Sequence, residues 1–102
     1  MAVQTKKTVV SNVRAKSKRP ALYHVLMLND DFTPMDFVIK LLVDVFDKDE
    51  TEAVALMLKV HHGDRAVVGT YSYDIAVTKK NQAITRARKQ GYPFQVVVEK
   101  AE

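Results

Sequence analysis

The residues of this chain best equipped for chemistry are Asn29-Asp30-Asp31 and, further along, His61. They offer an amide oxygen, carboxylates and an imidazole nitrogen, so the guest they suit is a hydrogen-bond donor, most simply an amine or a cation. A primary ammonium carries three N–H groups, and one acceptor of each kind satisfies all three. Such charge-assisted bonds are about twice as strong as neutral ones. A plainer reading uses the same residues: Asn29 and Asp31 organise a turn before a helix, and His61 is half-buried with its bonds satisfied. The residues by themselves leave both readings open. An apolar set stands near them in the pattern, Met35, Val38, Met57 and Val60. Methionine suits pockets that accept several shapes, but apolar residues at helical spacing are also the ordinary material of a core.

Other chemistries find less support. His61-His62-x-Asp64 invites a metal, but adjacent helical residues point about 100° apart. The i, i+4 histidines with a glutamate between, as in metalloproteases, do not occur. Without cysteine there are no disulfides, thiol catalysis or thiolate zinc sites. No serine sits in a glycine elbow, and the three glycines form no phosphate loop. Lys79, Lys80, Arg86, Arg88 and Lys89 suit the later part of a helix, where the backbone dipole favours cations; a docking surface is the sharper alternative. No catalytic residue, metal site or cofactor is expected.

Positioning these groups falls to six elements. Residues 23–28 read as a strand. Thr33-Pro34-x-Asp36 reads as a helix start, with Thr33 capping, Pro34 at the first helical position and Asp36 in the electropositive first turn. Phe37, Val38, Leu41, Leu42, Val45 and Phe46 then recur at helical spacing, with Asp36, Lys40, Asp44 and Asp47 facing out. Asp49 followed by Glu52 marks a second capped start. Its apolar stripe is Ala53, Leu56, Met57 and Val60, with His61 on the same side, and Gly63 ends it. Residues 66–71 have strand composition. Ser72 caps a third helix running to about Gln90, which Gly91 and Pro93 stop, and residues 94–99 form a last strand. The β-α-α-β-α-β order predicts an α+β fold, a small antiparallel three-stranded sheet packed with three helices.

The charge is distributed unevenly. Of the 102 residues, which carry +4 overall, residues 1–20 hold Lys6, Lys7, Arg14, Lys16, Lys18 and Arg19 and no acid; they carry +6 and leave −2 for the rest. Residues 1–20 are expected to be a flexible basic N-terminal arm and residues 21–102 one domain with a modest core. A mildly acidic domain argues against nucleic-acid binding by the fold itself. The arm keeps a second possibility open, binding of nucleic acid or of an acidic partner. No stretch approaches the ~20 apolar residues of a membrane span, and the N-terminus lacks the apolar segment of a signal peptide. The expectation is a cytoplasmic monomer that does not engage membranes.

Asn29-Asp30-Asp31-Phe32-Thr33-Pro34-Met35-Asp36-Phe37-Val38 resembles the signature of the ClpS family, the adaptors of the bacterial N-end rule. Leu56-Met57-Leu58-Lys59-Val60-His61 is similar to that family's second-helix motif. Gly69-Thr70-Tyr71 and Ala76-Val77-Thr78-Lys79 look like its second strand and third helix, and Tyr92-Pro93-Phe94 into Glu99-Lys100 looks like its ending. The resemblance runs over residues 20–102. It implies a non-enzymatic adaptor that binds N-degrons beginning with Leu, Phe, Tyr or Trp and delivers them to the N-terminal domain of ClpA, the AAA+ unfoldase of the ClpAP protease.

By the same resemblance, Asn29, Asp30, Asp31 and His61 hold the free α-amino group. Leu28, Thr33, Met35, Val38, Met57, Val60 and Phe94 line the pocket for the first side chain, with Met35 as a gate against β-branched ones. Asp74 and Lys79 dock the unfoldase. Phe94 stands where the family commonly has leucine, and His62, Gly63 and Asp64 also depart from it; these bear on the preference among first residues and leave the class intact. The fold is similar, too, to that of the C-terminal domain of the ribosomal stalk protein, and a fold does not fix a function. An adaptor needs Asn29, Asp31 and His61, whereas an arm-borne or purely structural role is indifferent to them.

Overall fold

In the computed structural model, which describes residues 20–101, β1 (Leu22–Leu28) is the central strand of a three-stranded sheet. It pairs antiparallel with β2 (Arg65–Ser72) on one side and β3 (Gln95–Lys100) on the other. The expected arm, residues 1–20, lies outside the described residues except for Pro20. Three helices complete the β-α-α-β-α-β order: α1 (Met35–Asp44), α2 (Glu50–Gly63) and α3 (Tyr73–Lys89). No described helix is long and apolar enough to cross a membrane.

Strand alternation decides what each residue of β1 touches. Val25 and Met27 are fully buried and join the core cluster, to which β3 adds Val96 and, partly buried, Val98. Leu26 is buried outside that cluster. The register against β2 shifts between Val25, opposite Gly69, and Leu26, opposite Val67. Val68 is the extra residue of this bulge, and both it and Ala66 are buried in the core. A Cβ at Gly69 would run into the Tyr71 ring, so glycine leaves room for that ring beside the bulge.

The helices close over the core through the stripes their spacing predicts. Val38, Leu41 and Leu42 of α1, continued by Val45 and Phe46, meet Ala53, Met57 and Val60 of α2. The buried face of α3 is Ala76, Ala83 and Ala87, small side chains that let its backbone approach closely. Capping is partly as expected. Asp49 accepts from the Glu52 amide at 2.8 Å, as its sequence pattern implies. After α3, Gly91 adopts φ 79° while the Tyr92 and Gly91 amides reach back to the Ala87 and Arg88 carbonyls, the paired bonds of a Schellman ending.

Two caps differ from expectation. Thr33 does not cap α1: its hydroxyl donates to Asp30 instead, and Pro34, with extended φ and ψ, takes the cap position. Ser72 precedes α3 without a side-chain cap bond, since β2 runs straight into the helix. Gly63 is the last residue of α2, but the left-handed turn beyond it falls on Asp64, at φ 73°.

Candidate functional site

Residues 29–34 join β1 to α1, and Asp30 gives this loop its shape. Asp30 Oδ1 accepts from the amides of Phe32 at 2.8 Å and Thr33 at 2.7 Å, and Oδ2 accepts from the Thr33 hydroxyl at 2.8 Å. Burial is the largest single influence on this carboxyl and raises its pKa. The bonds from Phe32 and Thr33, with the nearby charge of Arg88, outweigh that influence and hold the pKa below the ordinary 3.8.

Asn29 anchors the loop to the end of α2. Its backbone amide donates to the Asp64 carbonyl at 2.6 Å, and its side-chain Nδ2 donates to the His61 carbonyl at 3.3 Å. This orientation turns one N–H of the amide toward α2 and leaves Oδ1 as an acceptor. The left-handed turn at Asp64 carries the chain from α2 directly into β2, which pairs with β1, so His61 ends beside Asn29. Asp31 is exposed and, among the described residues, makes no salt bridge. The His61 and His62 rings meet edge-to-face, 5.0 Å apart. Among the described residues no group of three or more His, Asp or Glu is placed to hold a metal ion.

These groups border a cavity of about 330 Å³, within the usual range for small-molecule sites. Its apolar lining is Val38 from α1, Met57 and Val60 from α2, and Phe94 before β3, all buried. Asn29, Asp30, Asp31, Thr33 and His61 supply its polar lining. Met35 and Phe32, 45% and 77% exposed, stand at its open side. The arrangement can take a donor at its polar end and an apolar group on its floor at the same time.

Most residues singled out on the sequence converge here. Asn29, Asp30, Asp31, His61, Thr33, Met35, Val38, Met57, Val60 and Phe94 all line the cavity. Leu28 does not. It follows the core-facing Met27 in a strand whose successive side chains point to opposite faces, and it pairs with Arg65 and Gln95. Asp30, grouped with the acceptors for an amine, instead spends its carboxylate within the loop. Phe32 and Pro34 are lining residues that sequence reasoning did not pick.

Arg88 was missed more consequentially. Read as part of a solvated helix face, its Nη1 donates to the carbonyls of Tyr92 at 2.9 Å and Phe94 at 2.8 Å, so it holds the segment that carries the floor. The available signal was Tyr92-Pro93-Phe94 itself. A non-helical stretch with a proline needs donors from elsewhere for its carbonyls, and Arg88 lies one turn upstream.

Asp74 and Lys79 lie outside this cavity. Asp74 is exposed in the first turn of α3. The Lys79 side chain is 18% exposed: Nζ donates to the Val45 carbonyl at 2.7 Å, stands 3.4 Å from Asp47 Oδ2, and lies 5.6 Å from the centre of the Tyr71 ring.

Comparison with known proteins adds an independent line. The family described as ATP-dependent Clp protease adaptor protein ClpS matches residues 18–97. The ATP-dependent Clp protease adapter proteins ClpS of Paraburkholderia phymatum and Burkholderia cenocepacia are each 48% identical over 94 residues, 92% of this chain and 90% of theirs. Among solved structures, Agrobacterium tumefaciens ClpS2 bound to L-phenylalaninamide is similar at a TM-score of 0.80 and 37% identity, over 81% of this chain and 100% of that one.

Proposed function

As this chain belongs to the ClpS family of Clp protease adaptors, we propose that it reads N-degrons, binding the free α-amino group and the bulky apolar first side chain of substrates and delivering them to the unfoldase ClpA. The observation that carries this reading is the union, in one cavity, of unspent acceptors and a buried apolar floor. L-phenylalaninamide, the ligand of the A. tumefaciens relative, has the two matching parts, a free amine and an aromatic side chain.

In this reading Asn29 Oδ1, an Asp31 oxygen and a neutral His61 nitrogen take the three N–H groups of the ammonium, and one of these contacts can run through water. Asp30 acts through the loop it shapes and through its negative charge. The first side chain rests on Val38, Met57, Val60 and Phe94, beside Thr33 and under Met35. Leu, Phe, Tyr and Trp fit such a floor, and a β-branched side chain meets Met35 at the entrance. Asp74 presents an exposed carboxylate for the unfoldase, while Lys79 supports that contact from within the fold.

Magnitudes explain why both halves are needed. Burying ~150–200 Å² of an aromatic side chain at ~25 cal/mol/Å² supplies roughly 4–5 kcal/mol before ordering costs. Micromolar affinity takes about 8 kcal/mol. The ammonium contacts must supply much of the difference, and acetylating the amine removes both its charge and two of its donors. Discrimination against acetylated or internal residues is therefore steep.

The test is fluorescence anisotropy with a labelled peptide beginning with Phe, its N-acetylated twin and a Val-first control. The free-amine Phe peptide is expected to bind and the other two to bind at least tenfold more weakly. Equal binding of all three, or of none, would exclude the reading.

A further inference from the structure

Across the first turns of α1 from the cavity lies a second groove, of about 380 Å³, between α1 and α3. Met35 and Val38 line the cavity, whereas Asp36, Phe37 and Lys40 line the groove. The segment after α3 is divided in the same way, with Phe94 in the cavity and Tyr92 in the groove. The Phe37 and Tyr92 rings meet edge-to-face, with centroids 4.9 Å apart, and form the base of the groove. Its sides carry Lys40 from α1 and Arg86 and Lys89 from α3.

The charge of this groove departs from that of the domain around it. Residues 20–101 hold ten Lys and Arg against eleven Asp and Glu, yet the groove gathers three cations against the single acid Asp36. Asp36 is engaged locally, accepting from the Phe37 amide at 3.0 Å. Arg86 meets Asp44 at 3.1 Å, but Lys40 and Lys89 make no ion pair among the described residues. The dipole of α3 accounts for cations at its C-terminal end. It does not account for Lys40, which faces them from the middle of α1.

We propose that this groove binds acidic side chains of the same peptide whose first residue occupies the cavity, at about the third to sixth position. The inference rests on the preceding reading of the cavity. A peptide's first carbonyl lies on the other side of Cα from its amine. With the amine held at the Asn29 and His61 end, a chain that leaves past Pro34 and Met35, which also border the cavity, passes over the start of α1. Crossing one helix of ~10 Å diameter takes about three extended residues. The next few residues then lie along Lys40, Arg86 and Lys89, where carboxylates complement the charge and the aromatic base supports their aliphatic stems.

The experiment uses the full chain and three labelled Phe-first peptides that differ only at positions 4–6, carrying Ser, Glu or Lys there. Anisotropy is measured for the wild type and for the double variant Lys40→Glu/Lys89→Glu, whose fold is checked by circular dichroism. With two or three exposed charge pairs at stake, the Glu peptide is expected to bind roughly three- to tenfold more tightly than the Ser peptide at low salt. The advantage should vanish in the double variant and pass to the Lys peptide, while the Ser peptide binds both proteins alike. Equal affinities for the Ser and Glu peptides in the wild type would overturn the inference. So would a Glu advantage that persists in the double variant, as attraction by the basic residues 1–20 would produce. Failure of the Ser peptide to bind the wild type would instead strike at the cavity reading itself and take this inference with it.

Discussion

At the N-terminal end of α1 the chain runs through Asn29, Asp30 and Asp31; at its C-terminal end it runs through Asp47, Lys48, Asp49 and Glu50. The two turns are similarly acidic and spend their charges differently. In the second, Asp49 caps α2, and Asp47, at φ 60°, stands 3.4 Å from the ammonium of Lys79, which also satisfies the last-turn carbonyl of Val45. In the first, one carboxylate, Asp30, satisfies the loop by itself, and Asp31 is left exposed beside a cavity. At the second turn Asp47 and Asp49 both find partners within the fold, as befits a structural joint. A turn that closes with one acid and leaves another over has something to offer a ligand.

The largest effect expected of this contrast comes from Asp30→Ala. It removes three hydrogen bonds at once and should lower stability by roughly 2–3 kcal/mol, or about 10–20 °C in Tm, and abolish binding of a Phe-first peptide along with it. Calorimetry and anisotropy on the same variant decide this, and a normal Tm would mean that the loop holds its shape without Asp30. Asp31→Ala separates the two functions. Losing one charge-assisted contact, about 1.5–3 kcal/mol, should weaken peptide binding roughly ten- to hundredfold with Tm nearly unchanged; a large drop in Tm would return Asp31 to the plain turn-organising role.

Lys79→Met tests the other turn. It leaves the Val45 carbonyl without its donor and should cost about 1–2 kcal/mol in urea denaturation, with peptide affinity unaltered. If stability holds, the ammonium is dispensable to the joint. The smallest effect concerns pH. The folded pKa of Asp30 lies below its ordinary 3.8, so its ionised form is favoured by folding. The stability this contributes is fully present above the unfolded pKa and is lost as pH falls through the folded one. Between pH 6 and pH 3 the urea midpoint should therefore fall more for the wild type than for Asp30→Asn; parallel curves would contradict the assignment.

Much of this molecule is legible in its residues. Asp49 with Glu52, the stripe from Phe37 to Phe46, and Gly91 before Pro93 each state a local rule that the fold obeys, because caps, helical faces and left-handed turns depend on neighbours within a few positions. The convergence of residues 29–35 with Met57, Val60, His61 and Phe94 was legible only through the resemblance of whole motifs to a family, since spacing alone does not say that the end of α2 meets the end of β1.

What the sequence by itself determined, then, is the order and polarity of the elements and the stock of acceptors near residue 30. The tertiary structure alone decided how that stock is allotted. Thr33 serves Asp30 rather than the helix, Asp30 binds within the loop, Leu28 falls on the other face of the strand from the core, Arg88 turns to carbonyls of the segment that follows its own helix, and Lys79 turns inward to a carbonyl of the distant α1–α2 turn. The reason is physical. A polar side chain can satisfy itself in several local ways of nearly equal free energy, and the choice falls to whichever partner the packed chain brings within about 3 Å.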